Sequence, residues 1–445
     1  MNNRYAYLGI GLAVIAAATA ILRTWLAHVP AEPTVMPVSR PIAGVTATVP
    51  ASLPLPDEPV TDTPLPLAGE RLPETSASQR TERHASPSPL PELPPTLDLT
   101  GGRLGQQRVP GGEAVGDFYR LHWHAASGRL FMAVVEPDGM RAIWRLDPDG
   151  AWHQAIALNR LAGDFTVTGD SRGRLYAQFE NPGRLYRSED GGDSWRPVLS
   201  DVDMFWSMAD DGAGTVYGSV HAQNAAVLYR STDDGFTWAR WKDFQALFPE
   251  EAVTYADGDG RYRLRHLHGV AYADGKLLVG VGDVKRATYM SLDGGANWRE
   301  IWDEGFTAAV SSPYGTKLLL GPDTLRRFGL YAFDLVRLEG HEVWSPIPHG
   351  YAGYTYSMAE SGGVYYVAFH TEANEASEVT PKFGVIVSPD LETWYPFLEY
   401  GPLGHHAQTT VYLAPAADRF FVSVNGSLYA FKPLTREWFS RHEPF

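Results

Sequence analysis

One turn phrase recurs along this chain of 445 residues and confines it to a repeat architecture. Its first copy carries Ser188, Asp190, Gly192 and Trp195; its second carries Ser231, Asp233, Gly235 and Trp238. The third carries Ser291, Asp293, Gly295 and Trp298, and a copy one residue shorter keeps Ser388, Asp390, Thr393 and Trp394. Each full copy follows a stretch that ends in Tyr186, Tyr229 or Tyr289 and one further residue, as a strand does when it runs into a tight turn. In such a turn an Asp carboxylate takes backbone N–H groups, and Gly supplies positive φ. The Trp then opens the next strand and brings a large ring to the space between sheets. Asp190, Asp233 and Asp293 therefore read as turn staples and not as catalytic acids, and Trp195, Trp238 and Trp298 are expected to be largely buried at equivalent places.

The repeat extends beyond these turns. Trp152, Trp195, Trp238, Trp298, Trp344, Trp394 and Trp438 follow one another at intervals of 43, 43, 60, 46, 50 and 44 residues. Upstream of them a turn feeds an apolar strand, as in Gly128 to Phe131, Gly173 to Tyr176 and Gly275 to Leu278. A period near 45 with short strands means four-stranded propeller blades. Counting Trp-ended units gives seven blades, each expected to close with its Trp in or beside the outer strand.

The turn phrase resembles the Asp-box, or BNR, repeat found in sialidases, sortilin-type receptors and photosystem II assembly factors. The resemblance implies a propeller in which the box itself does no chemistry. Among these families the assembly factors are the more similar in architecture, a single seven-bladed propeller without catalysis. The sialidase resemblance implies a glycoside hydrolase, but the Arg-Ile-Pro segment of that family is absent here. The nearest phrase, Phe118, Tyr119, Arg120, Leu121, lacks the Pro. Arg265, Arg286 and Arg326 are available for the family's arginine triad, yet no pattern links them. Xyloglucan-degrading Asp-box enzymes resemble the chain less, since they set two propellers against a cleft and there is room here for one.

The first hundred residues differ in kind. Tyr5 to Leu22 is an uncharged, mostly apolar run between Arg4 and Arg23, at the lower length limit for a membrane-spanning helix. The small-x-small Ala18, Thr19, Ala20 suits a cleaved signal peptide, but the apolar character continues through Trp25 and Leu26, which favours an uncleaved signal-anchor. Arg4 and the terminal amine set the N-terminus inside. Residues 29–105 are rich in Pro, Ser, Thr and Glu without apolar periodicity, as in a disordered linker. The domain expectation is thus a transmembrane anchor over 1–28, a linker over 29–105 and an all-β propeller over 106–445, placed on the extracytoplasmic (periplasmic) side. The chain has no cysteine, which excludes disulfides and a lipoprotein anchor. Its net charge of −15 argues against a nucleic-acid partner.

Blade geometry locates function. The loops that enter each inner strand and those joining second to third strands open on one face of the disc, here called the top. The boxes, joining third to outer strands, lie on the other. Two insertions, 239–263 and 370–383, map to the top, where long loops on a rigid scaffold carry binding. The polar residues expected there are Arg265, His266 and His268 ahead of and within the fourth inner strand, and Asp283 and Arg286 in that blade's middle loop. His221 (with Gln223 and Asn224) falls in the third blade's middle loop, His370 in the sixth blade's, and His405 and His406 at the seventh inner strand. A His-x-His on a strand points both rings to one face, one way to bind zinc or copper, and His405 with His406 would complete such a site. Ordinary channel-mouth residues bonded to backbone and water are the stronger expectation, so no cofactor or metal is assigned. His122 and His124 share the spacing but fall nearer the turn after their strand. The sequence therefore describes a membrane-tethered propeller that binds an envelope protein partner, or a glycan, on its top face without catalysis. The alternative is a sialidase-like hydrolase.

Overall fold

The computed structural model describes residues 107–108 and 120–445, apart from 136–138, 158–164, 181–182, 223–224, 252–263, 313–314, 324–328, 352–353, 371–382, 401–409 and 425–426. All of these fall in the compact unit Arg80–Phe445; the other unit, Met1–Gln79, lies outside the described residues. The strands form seven four-stranded antiparallel sheets, which are the blades of a propeller. Blades 1 to 6 occupy 121–157, 165–200, 205–243, 267–302, 306–344 and 354–400, each a run of four consecutive strands ordered from inner to outer. Inner strands Leu121–His124 of blade 1 and Val411–Pro415 of blade 7 pack together and close the ring.

The closure differs from the expectation for Trp438. Blade 7 takes its outer strand from the other end of the chain: Gln107–Arg108 pairs with Leu428 and Ser427. Trp438 sits instead in a one-turn helix, Arg436–Phe439, stacked on His442 at 3.8 Å between ring centroids. Joining the two ends in one sheet leaves no blade with three strands and an open edge. Trp344 is also displaced from the repeat. It ends its outer strand opposite Leu330, as Trp302 does opposite Thr288. It is the counterpart of Trp302, not of Trp298.

The repeated turn fastens one blade to the next. In blade 3 the Ser231 hydroxyl donates to Asp233 at 2.8 Å and accepts from the Gly235 N–H at 2.8 Å. The Asp233 carboxylate accepts from the Thr237 N–H at 2.9 Å and the Thr237 hydroxyl at 2.7 Å. Blades 2 and 4 repeat this through Ser194 and Asn297. The backbone and side-chain amides of Asn297, with the Ser291 hydroxyl, hold the Asp293 carboxyl down to about 2. Gly235 has φ +80°, and a Cβ there would meet the Tyr176 hydroxyl of blade 2 at 2.3 Å. The glycine is needed both for the backbone and for the neighbour. In the shortened copy Leu391 takes that role, with φ +69° and its N–H on Ser388 at 2.8 Å.

Trp195, Trp238 and Trp298 do stand at equivalent places, just before the outer strands, but they are half-buried rather than buried. One edge meets an aromatic ring of the preceding segment: Phe131 at 6.4 Å for Trp195, Tyr176 at 6.2 Å for Trp238, Phe244 at 5.0 Å for Trp298. Trp238 also packs on Phe205 at 5.4 Å, and all three rings stay partly open to solvent. Trp394 is the buried member of the set, enclosed by Trp344 and packed within the cluster of blades 5 and 6.

The expected membrane anchor is corrected. Among the described residues no helix is long and apolar enough to cross a membrane. The Tyr5 to Leu22 run and the Pro-rich segment lie outside the described residues. The transmembrane helix, the signal-anchor, the membrane partner and the periplasmic placement that followed from them are therefore withdrawn. What stands of the expected fold class is the all-β, seven-bladed propeller.

Candidate functional site

The inner strands surround a cavity of about 470 Å³ lined by Arg120, His122, Trp206, Thr307, Tyr356 and their neighbours. At the top of this channel the polar residues gather by register. Phe205, Leu267 and Phe306 open the inner strands of blades 3, 4 and 5, opposite Val220, Val281 and Pro322. The residue after each opener comes next: Trp206, His268 and Thr307. The residue after each partner is His221, Gly282 and Asp323, and their N–H groups bond Met204, His266 and Gly305 carbonyls respectively. Gly282 has no side chain where its equivalents do, and a Cβ there would lie 2.0 Å from the His268 ring. The ring occupies the space that the glycine leaves.

Six of the expected site residues come together around that ring. His266 and His268 flank Leu267, and their Nε2 atoms approach to 2.8 Å. His221 stacks on His266 with centroids 4.1 Å apart and lies 5.3 Å from His268. Asp283, in the left-handed region at φ +68°, brings one carboxylate oxygen to 3.1 Å from His266 Nε2, and Arg265 pairs with the same oxygen. Arg286 reaches the Asp283 carbonyl at 3.2 Å and lies 3.8 Å from Glu304. Burial lowers His266, only partly offset by its bond to Asp283. Burial and then the neighbouring imidazoles hold His221 well below its ordinary value. Burial would raise Asp283, but the His266 bond and the charges of His268, His266 and Arg265 outweigh it and keep the carboxylate ionised.

The expected channel-mouth residues His266 and His268 do not face solvent: His266 is 2% exposed and His268 is 3% exposed. His370 stands apart from them on the same face. It is fully enclosed, between Tyr356 at 4.8 Å and Tyr412 at 5.2 Å between centroids. His405, His406, Gln223, Asn224, Arg326 and the insertion 371–382 lie outside the described residues. His124 belongs to the opposite end, bonded to Ser127 and to the Gly173 carbonyl at 2.8 Å.

Several residues were not anticipated. Asp323 meets His268 Nδ1 at 2.6 Å from the far side. Trp206 lies 4.6 Å from His221, 5.9 Å from His268 and 5.3 Å from Tyr356, and so joins the histidine group to the Tyr356–His370–Tyr412 group. The Arg120 guanidinium covers the Trp206 ring at 4.9 Å and donates to its carbonyl at 2.5 Å. The signal for Trp206 and Asp323 was positional: each sits one place from a strand end that the Gly-turn-strand phrase could have located.

No protein-family model matches the chain, and no curated protein matches it in sequence. Solved structures match in fold. The chain is similar to the GH74 enzyme of Niastella koreensis, with 15% identity and a TM-score of 0.50, over 73% of this chain and 53% of that one. It thus spans about half the length of that enzyme. It is similar to streptogramin B lyase, with 10% identity and a TM-score of 0.51, over 74% of this chain and 96% of that one. YCF48 bound to D1 peptide overlays at 14% identity and a TM-score of 0.47, over 76% of this chain and 99% of that one. At these identities the likeness establishes the propeller fold and nothing finer.

Proposed function

We propose that this protein is a non-catalytic binding module whose propeller, over 106–445, docks a protein segment at the top mouth of its channel through a carboxylate. The supporting observation is a pair of unsatisfied donors beside the cavity. His370 Nδ1 accepts the Val411 N–H at 3.3 Å, so the neutral ring carries its proton on Nε2, which is buried and has no hydrogen-bond partner among the described residues. Arg120 Nε is likewise buried and unpaired. A buried N–H without an acceptor costs on the order of 1–3 kcal/mol, and a ligand carboxylate supplies the missing acceptor. The aromatic rings at the mouth face one another rather than open space, which favours a protein segment over a sugar needing a free stacking face. The box turns support kinship with Asp-box propellers, in which this face is the one free of boxes.

The hydrolase alternative gains no comparable support. A glycosidase acid must keep its proton near neutral pH. Asp283 is held ionised, Arg265 is engaged with it, and Glu304 is fully buried with its carboxylate on the Gly305 N–H at 3.0 Å.

A peptide pool presented with free and with amidated carboxyl groups tests the proposal. Wild-type protein is expected to retain carboxylate-bearing peptides. Arg120→Gln should lose them, while Leu292→Ser, on the box face, should not. Retention that ignores both the carboxyl group and Arg120 refutes this mode of binding. Retention of neutral glycans instead, unaffected by Arg120→Gln, gives the site to sugars.

A further inference from the structure

We propose that His221, His266, His268 and Asp283 form a site for one divalent transition-metal ion of the zinc class, with Asp323 holding His268 in place from behind. The inference extends the proposed docking mouth, but it rests on other residues and is tested without any peptide.

Three facts of geometry carry it. First, the donor atoms converge. Nitrogen atoms of His221, His266 and His268 all lie within 4.8 Å of one another, as do the donor atoms of His268, Asp283 and Asp323. Ligands on a tetrahedral zinc with bonds of roughly 2.0–2.1 Å stand about 3.3 Å apart. The separations of 2.8 Å for His266–His268, 3.1 Å for His266–Asp283 and 3.8 Å for His268–Asp283 lie on either side of that spacing, within reach of small side-chain rotations.

Second, a carboxylate stands behind one of the rings. An Asp323 oxygen lies 2.6 Å from His268 Nδ1, while His268 Nε2 faces His266 at 2.8 Å and Asp283 at 3.8 Å. A carboxylate behind a histidine is the arrangement that orients metal-binding imidazoles and raises their basicity. Asp323 itself is 6% exposed, and its backbone N–H is tied to the Gly305 carbonyl at 3.2 Å, so it is a rigid support.

Third, the site has an entrance and the right donor chemistry. His266 and His268 are enclosed, whereas His221 is half-buried and Asp283 about a third exposed, so an ion can enter from the mouth. Three imidazoles and one carboxylate suit zinc, copper or nickel; magnesium and calcium take oxygen ligands. The two Asp283 oxygens divide the work: Arg265 and His266 share one, and the other faces His268 at 3.8 Å.

Chelator-treated protein, dialysed and titrated with Zn²⁺, is expected to take up one ion per chain. Co²⁺ in its place should give the visible absorption of a four-coordinate site, and Mg²⁺ should not bind. His221→Ala should abolish uptake; this half-buried residue can be removed with less risk to folding than His266. Asp323→Asn, which leaves all four ligands, should weaken binding roughly 10–100-fold. His341→Ala, an exposed histidine elsewhere on the disc, should match the wild type. Excess Zn²⁺ should raise the thermal midpoint of the wild type and leave that of His221→Ala unmoved. Wild-type protein that holds no ion after dialysis, or uptake that survives His221→Ala unchanged, overturns the proposal. Zinc uptake without retention of carboxylate peptides would sink only the docking mode, and the reverse result would sink only the metal site.

Discussion

His370 shows how burial at a single residue sets a pH response. Burial first, and the Arg120 charge second, push its imidazole down to about 3, against an ordinary value near 6.5. The folded ring therefore stays neutral where the unfolded one takes a proton. Its contribution is complete above about pH 6.5 and is lost as the pH falls toward about 3, with a slope of about 1.4 kcal/mol per pH unit inside that window. Thermal midpoints measured between pH 7 and 4 should fall more steeply for the wild type than for His370→Gln. Equal slopes would show that the ring is not kept neutral by the fold. Asp233 makes the complementary case at the surface. Its carboxylate gathers the Ser231 hydroxyl and two Thr237 donors, so Asp233→Ala is expected to cost on the order of 1–2 kcal/mol, like the loss of a helix N-cap, while exposed Thr232→Ala stays near zero. Urea unfolding of the two variants separates them. The Asp-box staples were legible in the sequence because their chemistry is local: every partner of Asp233 lies within four residues of it.

At the scale of elements, the same turn does different work according to what covers its Trp. Trp238 donates its indole N–H to the Gly235 carbonyl at 3.1 Å and packs on Tyr176 and Phe205, but stays half-buried. Trp394, 3% exposed, is packed on Trp344 and within the blade 5–6 cluster. Trp394→Ala is thus expected to cost about 3–5 kcal/mol and Trp238→Ala clearly less. Equal losses by urea unfolding would mean that the turn, not the burial, carries the stabilisation. This difference was not legible beforehand, since a seven-fold spacing of Trp says nothing of which neighbour closes over each ring. Spacing also enrolled Trp344 and Trp438, which occupy other positions, although the count of seven blades was right. The candidate site divides along the same line. His266 and His268 were readable as a pair because alternation on one strand fixes their shared side. Asp323 and Trp206 come from blades 5 and 3, and only the register between strands brings them to that pair.

For the whole molecule, the decisive contact is the one that makes a ring of a row. Without a fourth strand, blade 7 would end at Ser427–Phe431 and present it as an open edge, and an open edge invites pairing with another chain. Here Gln107–Arg108 covers Ser427 and Leu428, so two residues more than three hundred positions away complete blade 7. Nothing in their composition announced it: two polar side chains show no alternation, and the strand is defined by what it pairs with. A chain beginning at residue 100 should keep the closure, and one beginning at residue 119 should lose it. The shorter chain is expected to melt several degrees lower, because the Ser427–Phe431 strand becomes an edge and the contact between the first and last inner strands loses its backing. It should also self-associate in light scattering at concentrations where the longer chain does not. If both chains melt together and both remain dispersed, the ring is held by its inner strands alone, and the two-residue strand is incidental to closure.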